Sequence, residues 1–362
     1  MKTVAYKDFI KAFSEVAYVE DVPYTGSFEI TPLCNLNCKM CYVHLSDSSV
    51  LERILSGEQW ISIIEEAINQ GMINALLTGG EAMMHPDFWK IYYYLTNNGI
   101  STRLKTNGLL LNRENIEKLT KYPPCIIDVS LYGCDRKSYK TVTGVDAYET
   151  VVGNIKMAIE AGLTLRIMVT PSSYMYPWIE KVIDLAKSFG VKVIVNSFLL
   201  PPNSDTKRNR KDFELTDVEI DHIQKIKNKV LYSDEIIHED NNNNLFGNFS
   251  KRPDVAECGL YCNGGRTGFA MNWDGTMGPC ISFPKEIICA NPLEDGFFSS
   301  WKIVNNSIKN YTIPEECFSC PANNKCHYCP TKHGKYAIKH SCDPDVCSYW
   351  KDGKQKENTN VN

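Results

Sequence analysis

TPLCNLNCKMCYVH, residues 31–44, and LLTGGE, residues 76–81, carry the reading of this chain. The first stretch spaces Cys34, Cys38 and Cys41 as C-x3-C-x2-C directly after a β-prone run. Three thiolates on one short loop can hold three irons of a cubane and leave the fourth without a protein ligand, the kind of open position that separates catalytic from structural metal sites. A zinc site or three unrelated thiols fit the same spacing. In the second stretch, Gly79 and Gly80 let a ligand approach the backbone closely, and the Glu81 carboxylate can take an ammonium group. Alone, Gly-Gly-Glu is a turn. One β/α unit after a three-cysteine loop, it reads as the other half of a site.

Around these stretches, residues 28–198 alternate short β-branched runs with longer helical patterns, the signature of β/α units and a parallel sheet. Six strands are predicted: Phe28–Pro32, Ala75–Thr78, Thr102–Lys105, Ile126–Ser130, Thr164–Val169 and Lys192–Asn196. Helical patterns at 57–71, 86–99 and 176–190 each end on a glycine, and in the first of them Trp60, Ile63, Ile64 and Ala67 share one face. A polar helix is expected at about 216–230. After NNNN at 241–244 cysteine, glycine and proline rise and periodicity fades. The expected organisation is a lead segment at 1–24, an α/β core at 25–235, a cysteine-rich, loop-rich region at 250–350 and a disordered tail at 351–362.

Composition is ordinary for a globular chain of 362 residues, with 43% hydrophobic and 23% charged residues. No stretch has the length of apolar sequence a membrane helix needs, and the N-terminus lacks a signal-peptide core, so a cytoplasmic protein with no membrane partner is expected. A net charge of -4 argues against nucleic acid. Fifteen cysteines without an export signal point to metal rather than disulfides.

With C-x3-C-x2-C after the first strand and GGE after the second, the chain resembles the radical S-adenosylmethionine (SAM) superfamily over residues 25–230. The resemblance implies a partial (β/α)6 TIM-like barrel, which agrees with the six units read from periodicity. It further implies a 4Fe-4S cluster on Cys34, Cys38 and Cys41 whose open iron is chelated by the amino and carboxylate groups of SAM. Gly79, Gly80 and Glu81 would bind the methionine amino end, and Met40 would lie near the adenine. Asn107 and Ser130 would touch the ribose. Arg166 would pair with the SAM carboxylate, a surface ion pair being its ordinary alternative. Thr106 and Asn196 also close strands, where parallel-barrel chemistry sits.

The C-terminal third spaces Cys262, Gly275 and Cys280 as C-x12-G-x4-C. Cys317, Cys320, Cys326 and Cys329 follow as C-x2-C-x5-C-x2-C, and then Cys347. Seven cysteines exceed one cubane, so two clusters, or a cluster plus zinc, are the economical solutions; two zinc ribbons are the structural alternative. The region resembles the SPASM module, which carries auxiliary iron-sulfur clusters, with one departure: the last spacing is x2 where the module has x3. By that resemblance Cys262, Cys280 and Cys329 serve the nearer auxiliary 4Fe-4S cluster, with Cys258 a candidate fourth ligand. Cys317, Cys320, Cys326 and Cys347 serve the farther one, with Cys342 competing for the last place. Cys125, Cys134 and Cys289 are expected to be strand or core thiols.

The resemblance implies reductive cleavage of SAM to a 5'-deoxyadenosyl radical that abstracts hydrogen, most simply from a ribosomally made peptide undergoing crosslinking, epimerisation or oxidation. An external electron donor such as flavodoxin or ferredoxin is implied. Only 33 residues precede Cys34, so leader-peptide recognition is expected to need a separate leader-peptide-recognition protein or another surface. Sulfatase-maturing relatives carry an aspartate directly after the cysteine equivalent to Cys280, where this chain has Ile281. Sulfatase maturation, which Ile281 disfavours, dehydrogenation of a small alcohol or sugar, and a non-catalytic iron-sulfur or zinc-binding electron-transfer or scaffold protein are the alternatives.

Overall fold

The structure is a computed structural model that describes residues 6–43, 52–196, 199, 210–233, 260, 262–320, 328–344 and 347. The expected domain boundary at 235–250, the tail at 351–362, Cys258 and Cys326 lie outside the described residues.

Six parallel strands, β1 (Thr25–Glu29), β2 (Asn74–Thr78), β3 (Ser101–Thr106), β4 (Ile126–Ser130), β5 (Leu165–Val169) and β6 (Lys192–Val195), follow one another in sequence order across the sheet. Helices α2 (Gly57–Asn69), α3 (Phe88–Asn97), α4 (Arg113–Lys121), α5 (Arg136–Thr143), α6 (Tyr148–Glu160) and α7 (Ile179–Ser188) make the crossovers, with α1 (Tyr6–Val19) ahead of them and α8 (Asp217–Ser233) behind. The predicted partial barrel is present, and the strands lie within a few residues of the predicted runs. Local chemistry explains the helix starts. Ser56 caps α2, accepting from the Gln59 N–H while the Gln59 side chain answers the Ser56 N–H, and Asn112 caps α4.

Strand period 2 sorts side chains onto two faces. Phe28, Leu77, Leu104, Ile127 and Leu165 are register neighbours across β1 to β5, and all are buried. They face the helices: the Phe28 ring meets Trp60 of α2 edge-on. One residue further along, on the opposite, concave face, the row reads Glu29, Thr78, Lys105, Asp128, Arg166 and Lys192. Glu29 pairs with Thr78, Lys105 with Asp128, Asp128 with Arg166, and Arg166 with Lys192.

The cysteine-rich third does not stand apart from this sheet. Strand β7 (Gly268–Met271) pairs parallel with β1, and β8 (Met277–Gly278) pairs antiparallel with β7, giving eight strands. Helix α9 (Phe297–Lys309) covers them. Its buried stripe of Phe297, Trp301, Val304 and Ile308 has a helical period that the reading of fading periodicity missed. Phe269 meets Phe28, Phe297 and Trp301 edge-on, joining both parts in one apolar core. The lead segment is tied in as well: Trp301 Nε1 donates to the Asp21 carbonyl at 2.7 Å, and Lys309 pairs with the Asp21 carboxylate.

Phe269→Ala should therefore destabilise the whole molecule by about 3–5 kcal/mol. Denaturant unfolding monitored by far-UV circular dichroism should show the midpoint of the main transition falling, with the helices of the α/β core lost alongside the C-terminal part.

Candidate functional site

The cysteine loop leaves β1 and folds back over the end of β2. Gly80 N–H donates to the Thr31 carbonyl and Glu81 N–H to the Leu33 carbonyl, both at 2.7 Å. This approach tolerates no side chain: a Cβ on Gly79 would stand 2.4 Å from the Thr31 carbonyl oxygen, and one on Gly80 2.3 Å from that of Leu33. The two glycines thus admit the chain's own cysteine loop. On its far side the loop is held by Asn37 N–H to the Thr143 carbonyl at 2.9 Å and by Lys39 N–H to the Val142 carbonyl at 3.0 Å.

Glu81 departs from its expected role. Its carboxylate is 1% exposed and points into the protein, accepting from Thr106 Oγ1 at 2.9 Å, Asn107 N–H at 2.8 Å and Met83 N–H at 3.4 Å. It ties the end of β2 to the end of β3 and is absent from the pocket wall. Burial pushes its pKa up to about 7 against the pull of those donors. Asn107 continues the link, its Nδ2 reaching Asn35 Oδ1 at 2.7 Å and Cys34 Sγ at 3.6 Å.

A pocket opens beside this assembly. Its wall includes Cys34, Cys38, Cys41, Met40, Gly79, Gly80, Asn107, Ser130 and Asn196, so the structure brings together most of the predicted site residues. Lys105, Tyr42, Tyr132 and Thr170 also line it and were not singled out in the sequence. Strand period flags Lys105, because it falls on the concave face two residues before Asn107. Arg166 is placed elsewhere: its Nε and Nη2 grip Asp128 at 2.7 and 3.0 Å, and it is not in the pocket wall. Arg103 grips the same carboxylate at 2.7 Å, and the two guanidiniums hold the Asp128 pKa below its usual value against the opposing effect of burial.

The donor set fits a thiophilic cluster. Burial raises the Cys34 thiol to about 11, so without a cation it is a neutral thiol, and a bound metal supplies the charge that stabilises the thiolate.

Two further thiol groups lie in the C-terminal third. Cys262, Cys280 and Cys329 lie close together: burial raises the Cys262 thiol and takes Cys280 to about 11, with Cys329 adding to both shifts and Cys262 to that of Cys280. In the second group Cys317, Cys342 and Cys347 lie near enough to influence one another electrostatically, and burial raises the Cys317 and Cys342 thiols. The ligand atoms of Glu316, Cys317 and Cys342 fall within 4.8 Å of one another, so Cys342 is as much part of this group as Cys347. Cys125 and Cys289 are exposed and lie outside the strands, which corrects their expectation as strand or core thiols, and Cys134 is half-buried. Among the described residues no disulfide is formed.

Residues 28–177 match the radical SAM superfamily. The chain carries a radical SAM domain. Members of this superfamily bind SAM and a 4Fe-4S cluster, which is the chemistry the cysteine loop accommodates. Over 345 residues the chain is 24% identical to the antilisterial bacteriocin subtilosin biosynthesis protein AlbA of Bacillus subtilis, covering 89% of this chain and 71% of AlbA. It is 31% identical to the AdoMet-dependent heme synthase of Methanosarcina barkeri over 182 residues, about half of either chain. In fold it is similar to SuiB of Streptococcus suis bound to S-adenosylmethionine, with a TM-score of 0.67 at 18% identity over 96% of this chain and 84% of SuiB. Among the described residues no helix is long and apolar enough to cross a membrane.

Two tests follow from the geometry. Gly80→Ala forces a methyl against the Leu33 carbonyl and should cost about 2–4 kcal/mol in the metal-free protein, read from denaturant midpoints. The second concerns Glu29, which is 1% exposed and accepts from Tyr42 at 3.4 Å; burial raises its pKa to about 8, opposed chiefly by Lys285. The folded state then keeps a proton that the unfolded chain releases in the ordinary carboxylate range. Stability falls as pH rises from that range towards 8. In metal-free protein, Glu29→Gln should flatten the drop in melting temperature between about pH 5 and pH 8 relative to wild type.

Proposed function

We propose that this chain is a radical SAM enzyme that modifies a ribosomally synthesised peptide. The observation that carries the first half is the backbone clamp of the GGE segment on the cysteine loop, which sets three thiols in the wall of a pocket at the carboxyl end of a parallel barrel. The peptide substrate is supported by likeness to AlbA, a bacteriocin biosynthesis protein, and to SuiB, a structure of which holds the precursor peptide SuiA.

In this reading Cys34, Cys38 and Cys41 hold the 4Fe-4S cluster. Backbone groups at Gly79 and Gly80 take the methionine amino end, Met40 borders the adenine, and Asn107 and Ser130 reach the ribose. Glu81 acts from behind, fixing the Asn107 N–H and the end of β3, and Arg166 serves Asp128. When bound and reduced by an external donor, the cluster and SAM supply a 5'-deoxyadenosyl radical that removes hydrogen from an unactivated carbon. The chain's own part is to orient the substrate against that centre and to keep water out; Tyr132 and Leu199 line the wall.

Residues 25–235 form the radical SAM core in this proposal, and residues 250–350 hold two auxiliary 4Fe-4S clusters. Cys262, Cys280 and Cys329, with Cys258, serve the nearer one. Cys317 and Cys320 serve the farther one with Cys326 and with Cys347 or Cys342. Held by these cysteines, the auxiliary clusters would supply either an acceptor for the electron left on the substrate radical or an open iron for the substrate.

Anaerobically reconstituted wild-type protein should carry about 12 irons per chain, and replacing Cys34, Cys38 and Cys41 by alanine should remove about four. With dithionite and SAM the wild type should release 5'-deoxyadenosine, and the triple variant none. Zinc in the C-terminal third would overturn the auxiliary clusters, and absence of 5'-deoxyadenosine from the iron-loaded wild type would overturn the enzyme.

A further inference from the structure

We propose that Lys105 is the carboxylate-binding residue of the pocket, taking either the carboxylate of SAM or an acidic group of the substrate. The inference rests on the functional reading above and adds to it a residue that neither the motifs nor the resemblance assigns.

Four observations converge on Lys105. It lies in the wall of the pocket that contains the three loop cysteines. It sits on the concave face, across from Asp128 and two residues before Asn107. Among the described residues its ammonium makes no hydrogen bond and no ion pair within 4.0 Å, although it feels Asp128, Glu29 and the Cys41 thiol at longer range. The other cations nearby are engaged: Arg103 and Arg166 both close on Asp128, which leaves that carboxylate no need of Lys105.

A desolvated ammonium without a close anion is costly unless function supplies the partner. Burial lowers the Lys105 pKa, the direction that such a cost gives, and an arriving carboxylate offsets it. Glu29 cannot fill the part at neutral pH, since its own raised pKa keeps it protonated. The surroundings favour an anion: among the described residues the register row and its neighbour place Arg103, Lys105 and Arg166 around the carboxylate of Asp128. Among the described residues lining the pocket Lys105 is the one cation, a compact point charge on a flexible stem that suits a singly charged group such as a carboxylate.

The test uses anaerobically reconstituted protein as wild type, Lys105→Met, Lys105→Gln and Lys105→Arg, each checked for iron content and circular dichroism. Calorimetry measures SAM binding. Equilibrium dialysis with mass-spectrometric readout measures binding of two synthetic octapeptide pools that differ only in Asp or Glu against Asn or Gln at one position. If the carboxylate is that of SAM, both neutral variants bind SAM about tenfold or more weakly, and Lys105→Arg recovers most of the loss. If it belongs to the substrate, SAM binding is unchanged, while the wild-type preference for the acidic pool, about fivefold or more, disappears in both neutral variants and survives in Lys105→Arg. Folded, iron-loaded neutral variants that match wild type in both measurements overturn the proposal. Failure of the functional reading is distinct: wild type itself then binds no SAM.

Discussion

The missing Cβ atoms at Gly79 and Gly80 are the constraint on which the rest of the site depends. Because nothing projects from those positions, the backbone after β1 can lie against the end of β2 and exchange two short hydrogen bonds with it. Those bonds place Cys34 beside Asn107, whose N–H is in turn held by the buried Glu81 carboxylate. Residues 31–34, 79–81 and 106–107 come from three successive β/α units, yet they form one hydrogen-bonded body. A thiol that must accept a metal gains from such pre-organisation, since the ordering cost is met by folding rather than at binding.

The second consequence concerns the C-terminal third. By adding β7 to the free edge of β1, the chain sets Cys262 and Cys280 on either side of a strand that continues the barrel sheet, with Phe269 buried in the shared core. The edge of an open parallel sheet exposes unpaired backbone groups and invites association. Here that edge is covered by the segment that carries further thiols. Gly264 shows how tightly the two are joined: its N–H donates to Cys262 Sγ at 3.2 Å, and a Cβ there would meet the Pro279 carbonyl at 2.7 Å. The auxiliary cysteines are thereby registered to the same framework as the first loop.

Local signals told most of this and missed what depends on tertiary packing. The six strands, the cysteine loop and the pocket membership of Gly79, Gly80, Asn107 and Ser130 were legible because β-branched runs and short motifs encode them within a few residues. The role of Glu81 was not, because whether a carboxylate faces a ligand or the core depends on where Thr106 and Asn107 lie, 25 residues away along the chain. Arg166 takes the ion-pair alternative for the same reason, its partner Asp128 being a register neighbour on the adjacent strand. The strand β7 was hidden in GFAM, too short for alternation to speak, and the α9 stripe was masked by the polar residues between its buried positions. Cys258 and Cys326 fall outside the described residues.

The concave face completes the logic. A closed eight-stranded barrel fills its interior with branched apolar side chains, and the packing is its stability. Six strands leave the interior open, so an apolar filling would present a wet hydrophobic trough. The chain instead gives that row to Glu29, Lys105, Asp128, Arg166 and Lys192, while the row one residue away, against the helices, is wholly apolar from Phe28 to Leu165. Pairing within the charged row is unequal. Asp128 takes two guanidiniums, and Glu29 avoids the question by keeping its proton. Among the described residues that distribution leaves the positive charge of Lys105 without a close counter-ion in the pocket wall. The same alternation that builds the core thus delivers an uncompensated charge to the place where an anionic ligand group would be held.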